Sequence, residues 1–139
     1  MKLIFARKHA LGSYIIRLFT FSSWSHVAVV FSDNKVFDVT LAKGVRFSNL
    51  EDFLGEYTDV DIYSVDIPDE AAARAFAEEQ VGKKYDLSAI FGLIFQREWQ
   101  EDDRWFCSEV TESVLASGGK KRFKDKLYRI TPQQSWSVY

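Results

Sequence analysis

Cys107 is the single cysteine of the chain, set in RWFCSEVTESVL (104–115), where an aromatic pair runs into the first turn of an expected helix. A thiol at a helix N-terminus feels the positive end of the macrodipole, which favours the thiolate, the form that attacks a carbonyl carbon. Such a nucleophile needs a base, and the chain holds two histidines, His9 and His26. His9 follows two basic residues near the N-terminus and reads as a surface side chain. His26 lies in SHVAVVFSDNKVFDVTL (25–41), two β-rich runs about a polar turn, with Asp38 in the second run. The competing reading of Cys107 is a small, inert hydrophobe on an apolar helix stripe. Residue types alone leave both open.

The turn length decides which hairpin side chains share a face. A two-residue loop, Asp33-Asn34, mixes polar and apolar residues on both faces. A three-residue loop, Ser32-Asp33-Asn34, groups Val27, Val29 and Phe31 with Phe37, Val39 and Leu41 on one apolar face, which is then the core face. It also puts Asn34 where such hairpins take a left-handed residue. In this register Asp38 lies across from Ala28 and diagonal to His26, within reach of the imidazole over a small side chain. A carboxylate there would fix the ring's tautomer and orientation and stabilise the imidazolium.

The elements that must position these groups follow from periodicity and caps. Ser13 to Phe21 reads as a short helix, VRF (45–47) as a third strand, and SNLE (48–51) as a capping box opening a brief helix that Gly55 closes. VDIYSVDI (60–67) reads as a strand. Pro68 and Asp69 start a helix in EAAARAFAEEQV, with Ala72, Phe76 and Gln80 on one face and Gly82 as its stop. Asp86 caps a second, all-apolar helix in LSAIFGLIF (87–95), and a charged loop containing Trp99 follows. Cys107 to Ser117 is a helix with Cys107, Val110, Val114 and Leu115 inward, Glu109 and Glu112 outward, and Gly118-Gly119 as its end. A last strand is expected in LYRIT (127–131). The sum is an α+β fold with a central antiparallel sheet packed against helices, in a single domain spanning 1–139.

Bulk properties narrow the classes of function. The chain has 139 residues, 47% of them hydrophobic and 27% charged, enough to bury about two thirds of its unfolded surface without disulfides. A net charge of −2 speaks against a nucleic-acid partner. Two histidines and one cysteine lack metal-ligand spacing, so no metal is expected and no cofactor is required. No run reaches the roughly 20 apolar residues of a membrane span, and the N-terminus lacks a signal-peptide pattern. The expectation is a cytoplasmic protein, or one exported by other machinery. The basic KKRFKDK (120–126) reads as a solvated turn, with contact to a membrane surface as the sharper alternative.

SHVAVVFSDNKVFDVT, then GKKYD, then WFCSEV, in that order, resemble the circularly permuted papain-like cysteine hydrolases of the NlpC superfamily, in its YiiX/YaeF-like branch. The likeness runs from the helix before SSWSH to RITP. It implies a permuted papain-like fold in which the histidine strand precedes the cysteine helix. It also implies Cys107 as nucleophile, His26 as general base and then acid, and Asp38 as the orienting residue of a triad. Tyr85, in the K-Y-D motif, would line the site and help bind the oxyanion, and Trp24 and Trp105 would serve as pocket walls. Relatives commonly carry Gly at the position of Ala28 and Glu at that of Asp38. The implied reaction cleaves an amide through an acyl-enzyme, with peptide, cell-wall peptide or lipid amide as substrate. Acyl transfer on lipids, or binding without catalysis, are the alternatives.

Overall fold

The computed structural model describes residues 1–9, 23–85, 104–123 and 130–138. The expected helices at 13–21 and 87–95, the Asp86 cap, Trp99, Lys124, Lys126 and most of LYRIT lie outside them. Five strands form one antiparallel sheet in the order β4-β3-β2-β1-β5: β1 (Lys2–Arg7), β2 (His26–Val30), β3 (Lys35–Thr40), β4 (Gly44–Asn49) and β5 (Asp59–Ser64). A parallel pair, β6 (Lys84–Tyr85) and β7 (Arg104–Trp105), leads into the cysteine helix. The helices are α1 (Leu50–Gly55), α2 (Glu70–Gln80), α3 (Cys107–Ser117) and α4 (Pro132–Ser137).

The β2–β3 hairpin has the three-residue loop. Phe31 N–H donates to the Lys35 carbonyl at 2.9 Å, and Asn34 adopts φ 60°, the left-handed conformation that closes such a turn. Val27, Val29, Phe31, Phe37 and Val39 therefore share one face. They pack with Leu3 and Phe5 of β1 against Ala73 and Ala77 of α2 and Val110, Val114 and Leu115 of α3. Leu41, expected on this face, sits in the turn after β3 and is 65% exposed.

The opposite face, which carries His26, Ala28, Val36 and Asp38, is covered as well. Ile4, Ala6, Ala28, Val30 and Val36 form a second apolar cluster beneath Phe53 of α1, whose burial contributes about 2–3 kcal/mol. β1 lies between β2 and β5 and has both faces covered. Its four-residue LIFA run carries no alternation for that reason.

Three further expectations change. The SNLE capping box does not form: Ser48 stays in β4 paired with Val36, and the N-cap of α1 is Asn49, with no side-chain cap bond. The box that does form is at α4, where Thr131 and Gln134 cap reciprocally and Pro132 opens the helix; Ile130 and Thr131 belong to no strand. On α2, capped by Asp69 through the Ala72 N–H, the buried positions are Ala73, Ala77 and Gln80, so the inward stripe is centred one residue beyond Ala72 and Phe76.

Gly44 ties the sheet to the segment that feeds the cysteine helix. Val45 N–H donates to the Lys83 carbonyl at 2.8 Å and Gly82 N–H to the Val45 carbonyl at 3.0 Å. At φ +66°, Gly44 passes so close to Lys83 that a Cβ would sit 2.4 Å from its carbonyl oxygen. Gly44→Ala combines a left-handed penalty with a backbone clash and is expected to destabilise by about 2–4 kcal/mol in urea unfolding. A cost under about 0.5 kcal/mol would show that this junction yields freely.

Candidate active site

His26 opens β2 and Asp38 sits in the middle of β3. Their ladder is paired at Val29–Phe37 and Val30–Val36 and, among the described residues, goes no further toward His26. At that end β2 stays paired with β1 through Ala6–His26, and β3 stays paired with β4 through Asp38–Arg46 and Thr40–Gly44. Ala28 fills little space between them. His26 Nε2 and Asp38 Oδ2 lie 3.0 Å apart, with His26 6% exposed and Asp38 fully buried.

Cys107 is the first residue of α3, which packs on β2 and β3 from the main core side. Its side chain lies near enough to the imidazole to help raise the His26 pKa. The thiol and the imidazole approach from different layers, since His26 also stacks on Phe53 and Tyr57 on the other side of the sheet. They meet at the sheet end where the β2–β3 ladder stops. The N-cap position of α3 is Phe106, and no side chain caps the first turn.

The electrostatics follow from burial opposed by partners. Burial by itself lowers the His26 pKa, but hydrogen bonds to Asp38 and Cys107 and the negative charge of both push it up from 6.5 to about 9. Burial likewise raises Asp38, and His26 and Arg46 together bring it below the ordinary carboxylate value. The imidazole is therefore held as the cation across the neutral range. Tyr57 is raised by burial first and then by the charges of Asp38, Cys107 and Glu56, so its phenol stays protonated.

Three side chains at this centre carry no signal that a pattern search would pick out. Tyr57 lies nearly parallel to the His26 ring at 5.4 Å and 9°, and Phe53 stacks at 6.0 Å and 30°. Arg46 Nε donates to Asp38 Oδ1 at 2.9 Å. The cross-strand pairing of Asp38 with Arg46 would have been the signal for the last, once the strand expected at 45–47 was paired with β3.

Trp24 is half-buried against the main core, 6.4 Å from the Phe5 ring and under the Arg7 guanidinium. Tyr85 and Trp105 are backbone partners in the β6–β7 pair, two residues before Cys107 on the β7 side. The oxyanion and pocket-wall roles concern their side chains, which lie outside the described ones. Glu109 and Glu112, expected outward, are 4% and 1% exposed. Glu112 is ion-paired to Arg122 and accepts from Ser135, tying α3 to α4, so Arg122 does not belong to a free basic patch. Among the described residues no group of three or more His, Cys, Asp or Glu is placed to hold a metal ion, and no helix is long and apolar enough to cross a membrane.

Comparison with known proteins agrees with this architecture. No curated protein matches the chain. Among solved structures, the metalloprotein YiiX of Escherichia coli O157:H7 superposes with a TM-score of 0.66 at 22% identity, over 87% of this chain and 67% of YiiX. Residues 2–137 match the family model described as permuted papain-like amidase enzyme, YaeF/YiiX, C92 family. With a histidine strand ahead of a cysteine helix and a family match from the second residue almost to the last, the chain belongs to the permuted papain-like amidases of the YaeF/YiiX, C92 family.

Proposed function

We propose that the chain cleaves an amide bond in a peptide substrate, such as a cell-wall peptide, with Cys107 as nucleophile, His26 as base and acid, and Asp38 as the orienting carboxylate. The observation that carries this reading is one imidazole 3.0 Å from a buried carboxylate and raised in pKa by a thiol that opens a helix. His26, as base, holds the proton of the Cys107 thiol before substrate arrives and stands as the imidazolium, and the sulfur then bonds to the carbonyl carbon. The resulting oxyanion is met by N–H groups of the uncapped first turn of α3, beginning with that of Cys107. The C–N bond then breaks as the His26 imidazolium gives its proton to the leaving amine. Water, deprotonated by His26, cleaves the thioester to carboxylate and restores the thiol.

YiiX is described as a metalloprotein. The described side chains of this chain do not assemble a ligand set, so no step runs through a metal. The lipid-acyl alternative leaned partly on the basic segment at 120–126, of which Arg122 is committed to Glu112.

The direct test offers labelled peptidoglycan fragments and phospholipid to the wild-type protein and traps the acyl-enzyme by intact mass. An adduct on Cys107 from the peptide is expected; an adduct from phospholipid alone would move the substrate to lipid. Alkylation of Cys107 by iodoacetamide should be faster than that of a free thiol and should slow in His26→Ala. An equal rate in the two proteins would mean that the imidazole does not activate the thiol.

A further inference from the structure

We infer that Arg46 is a positioning residue for the proposed catalytic set: its guanidinium, fixed by Glu56, holds Asp38 in the rotamer that presents one oxygen to His26. This rests on the triad reading above. Asp38 is fully buried, and its two oxygens have separate partners, Oδ2 toward His26 Nε2 at 3.0 Å and Oδ1 accepting from Arg46 Nε at 2.9 Å. A carboxylate held at one oxygen can pivot about its terminal torsion, which is broad for Asp; held at both, it cannot. Arg46 stands directly across the β3–β4 ladder from Asp38, with its side chain 15% exposed.

The guanidinium is itself held from the far side. Its Nη2 donates to both Glu56 oxygens, at 3.1 and 3.2 Å, and Lys43 Nζ reaches Glu56 Oε1 at 3.4 Å. Glu56 is the C-cap residue of α1, between Phe53 and Tyr57, the two rings stacked on the imidazole. One short segment, 53–57, thus fixes the His26 ring by stacking and the Asp38 carboxylate through Arg46. Only a planar fork spans two carboxylates in this way; an ammonium reaches one of them at a time.

The charged and titratable groups facing His26 and its partners are Asp38 on β3, Cys107 on α3, Tyr57 after α1, and Arg46 and Glu56 behind Asp38, with Lys8 Nζ 5.4 Å over the outer Tyr57 ring. Taking away Arg46 has two opposed effects on the imidazolium. It removes a nearby cation, which would raise the His26 midpoint, and it frees Asp38 to turn away, which would lower it. The positioning role requires the second to win.

The test uses the NMR titration of ring-labelled histidine, which needs no substrate and in which His9 and His26 are the only two signals. In Arg46→Gln the His26 midpoint should fall by about one unit or more from the wild-type value, and in Arg46→Lys it should lie between the two. kcat should drop by roughly 10²-fold, the order that a misplaced catalytic group costs, with KM nearly unchanged. A midpoint that stays or rises in folded Arg46→Gln overturns the inference, as does Arg46→Lys matching wild type in both midpoint and kcat. If the wild type turns over no amide, the reading of the site fails by itself, and the titration still decides whether Arg46 holds Asp38.

Discussion

Replacing Cys107 by alanine should lower amide hydrolysis by at least about 10³-fold in kcat while leaving a folded protein, because the residue supplies the bond-forming atom and little packing volume. Cys107 is fully buried in the main core, and its loss there costs on the order of 1 kcal/mol, a modest part of a domain's stability. Cys107→Ser keeps size and a hydrogen-bonding group but makes a far poorer nucleophile beside an imidazolium, so it should be nearly as inactive. The two variants separate structural from chemical loss: similar thermal midpoints to wild type with no acyl adduct by intact mass point to chemistry. Activity of Cys107→Ala within tenfold of wild type would sink the assignment outright.

The same substitution has a second readout. Cys107 is one of two partners that lift His26 to about 9, so without it the histidine should titrate lower. A shift in the His26 signal ties the thiol to the imidazole in the absence of any substrate. It also answers the inert-core reading directly, since a merely packed cysteine would leave the histidine where it was.

Much of this centre was legible because one local rule fixes a non-local result. Turn length sets strand parity, and parity put Asp38 beside His26 across Ala28. Asn34 in a left-handed conformation is the local mark of that turn. The start of the cysteine helix was likewise readable from an apolar stripe ending at paired glycines, and it begins at Cys107. Other parts are set by what packs from elsewhere in the chain. β1 is covered on both faces, so its run of apolar residues has no period to read. Glu109 and Glu112 occupy helix positions that look solvated until α4 and Arg122 close over Glu112.

The two Ser/Thr-x-x-Glu/Gln segments make the same point. SNLE and TPQQ both carry a capping-box pattern, but only the second is used. Ser48 is committed to pairing with Val36 in β4, so its backbone is not available to begin a helix. Local propensity yields to the ladder there, whereas Pro132, lacking an N–H, cannot join one and opens α4. The strand extension that defeats the first box belongs to the ladder in which Arg46 faces Asp38. In the sequence VRF reads as a strand without a partner, and it is the pairing of that strand with β3 that brings Arg46 to the carboxylate.

Asp38→Asn should produce the second large effect, and its sign can be worked out from the groups around His26. Asn keeps the shape and can still accept a hydrogen bond, but it removes one of the two partners whose charge opposes burial. Burial then pulls the imidazole down from about 9 toward or below its ordinary 6.5, and the descending limb of kcat/KM, which reports loss of the imidazolium proton, should move to lower pH with it. With the amide able to support the wrong tautomer, kcat should fall by about 10²- to 10⁴-fold. Stability follows the same linkage. A histidine whose folded pKa lies above its unfolded value stabilises the fold fully below about pH 6.5 and loses that contribution as pH rises through about 9. Wild type should therefore lose thermal stability across this window, and Asp38→Asn should show a flatter profile there. A descending limb that stays near 9 in Asp38→Asn would show that Asp38 does not charge the pair, leaving Cys107 and His26 to act as a dyad.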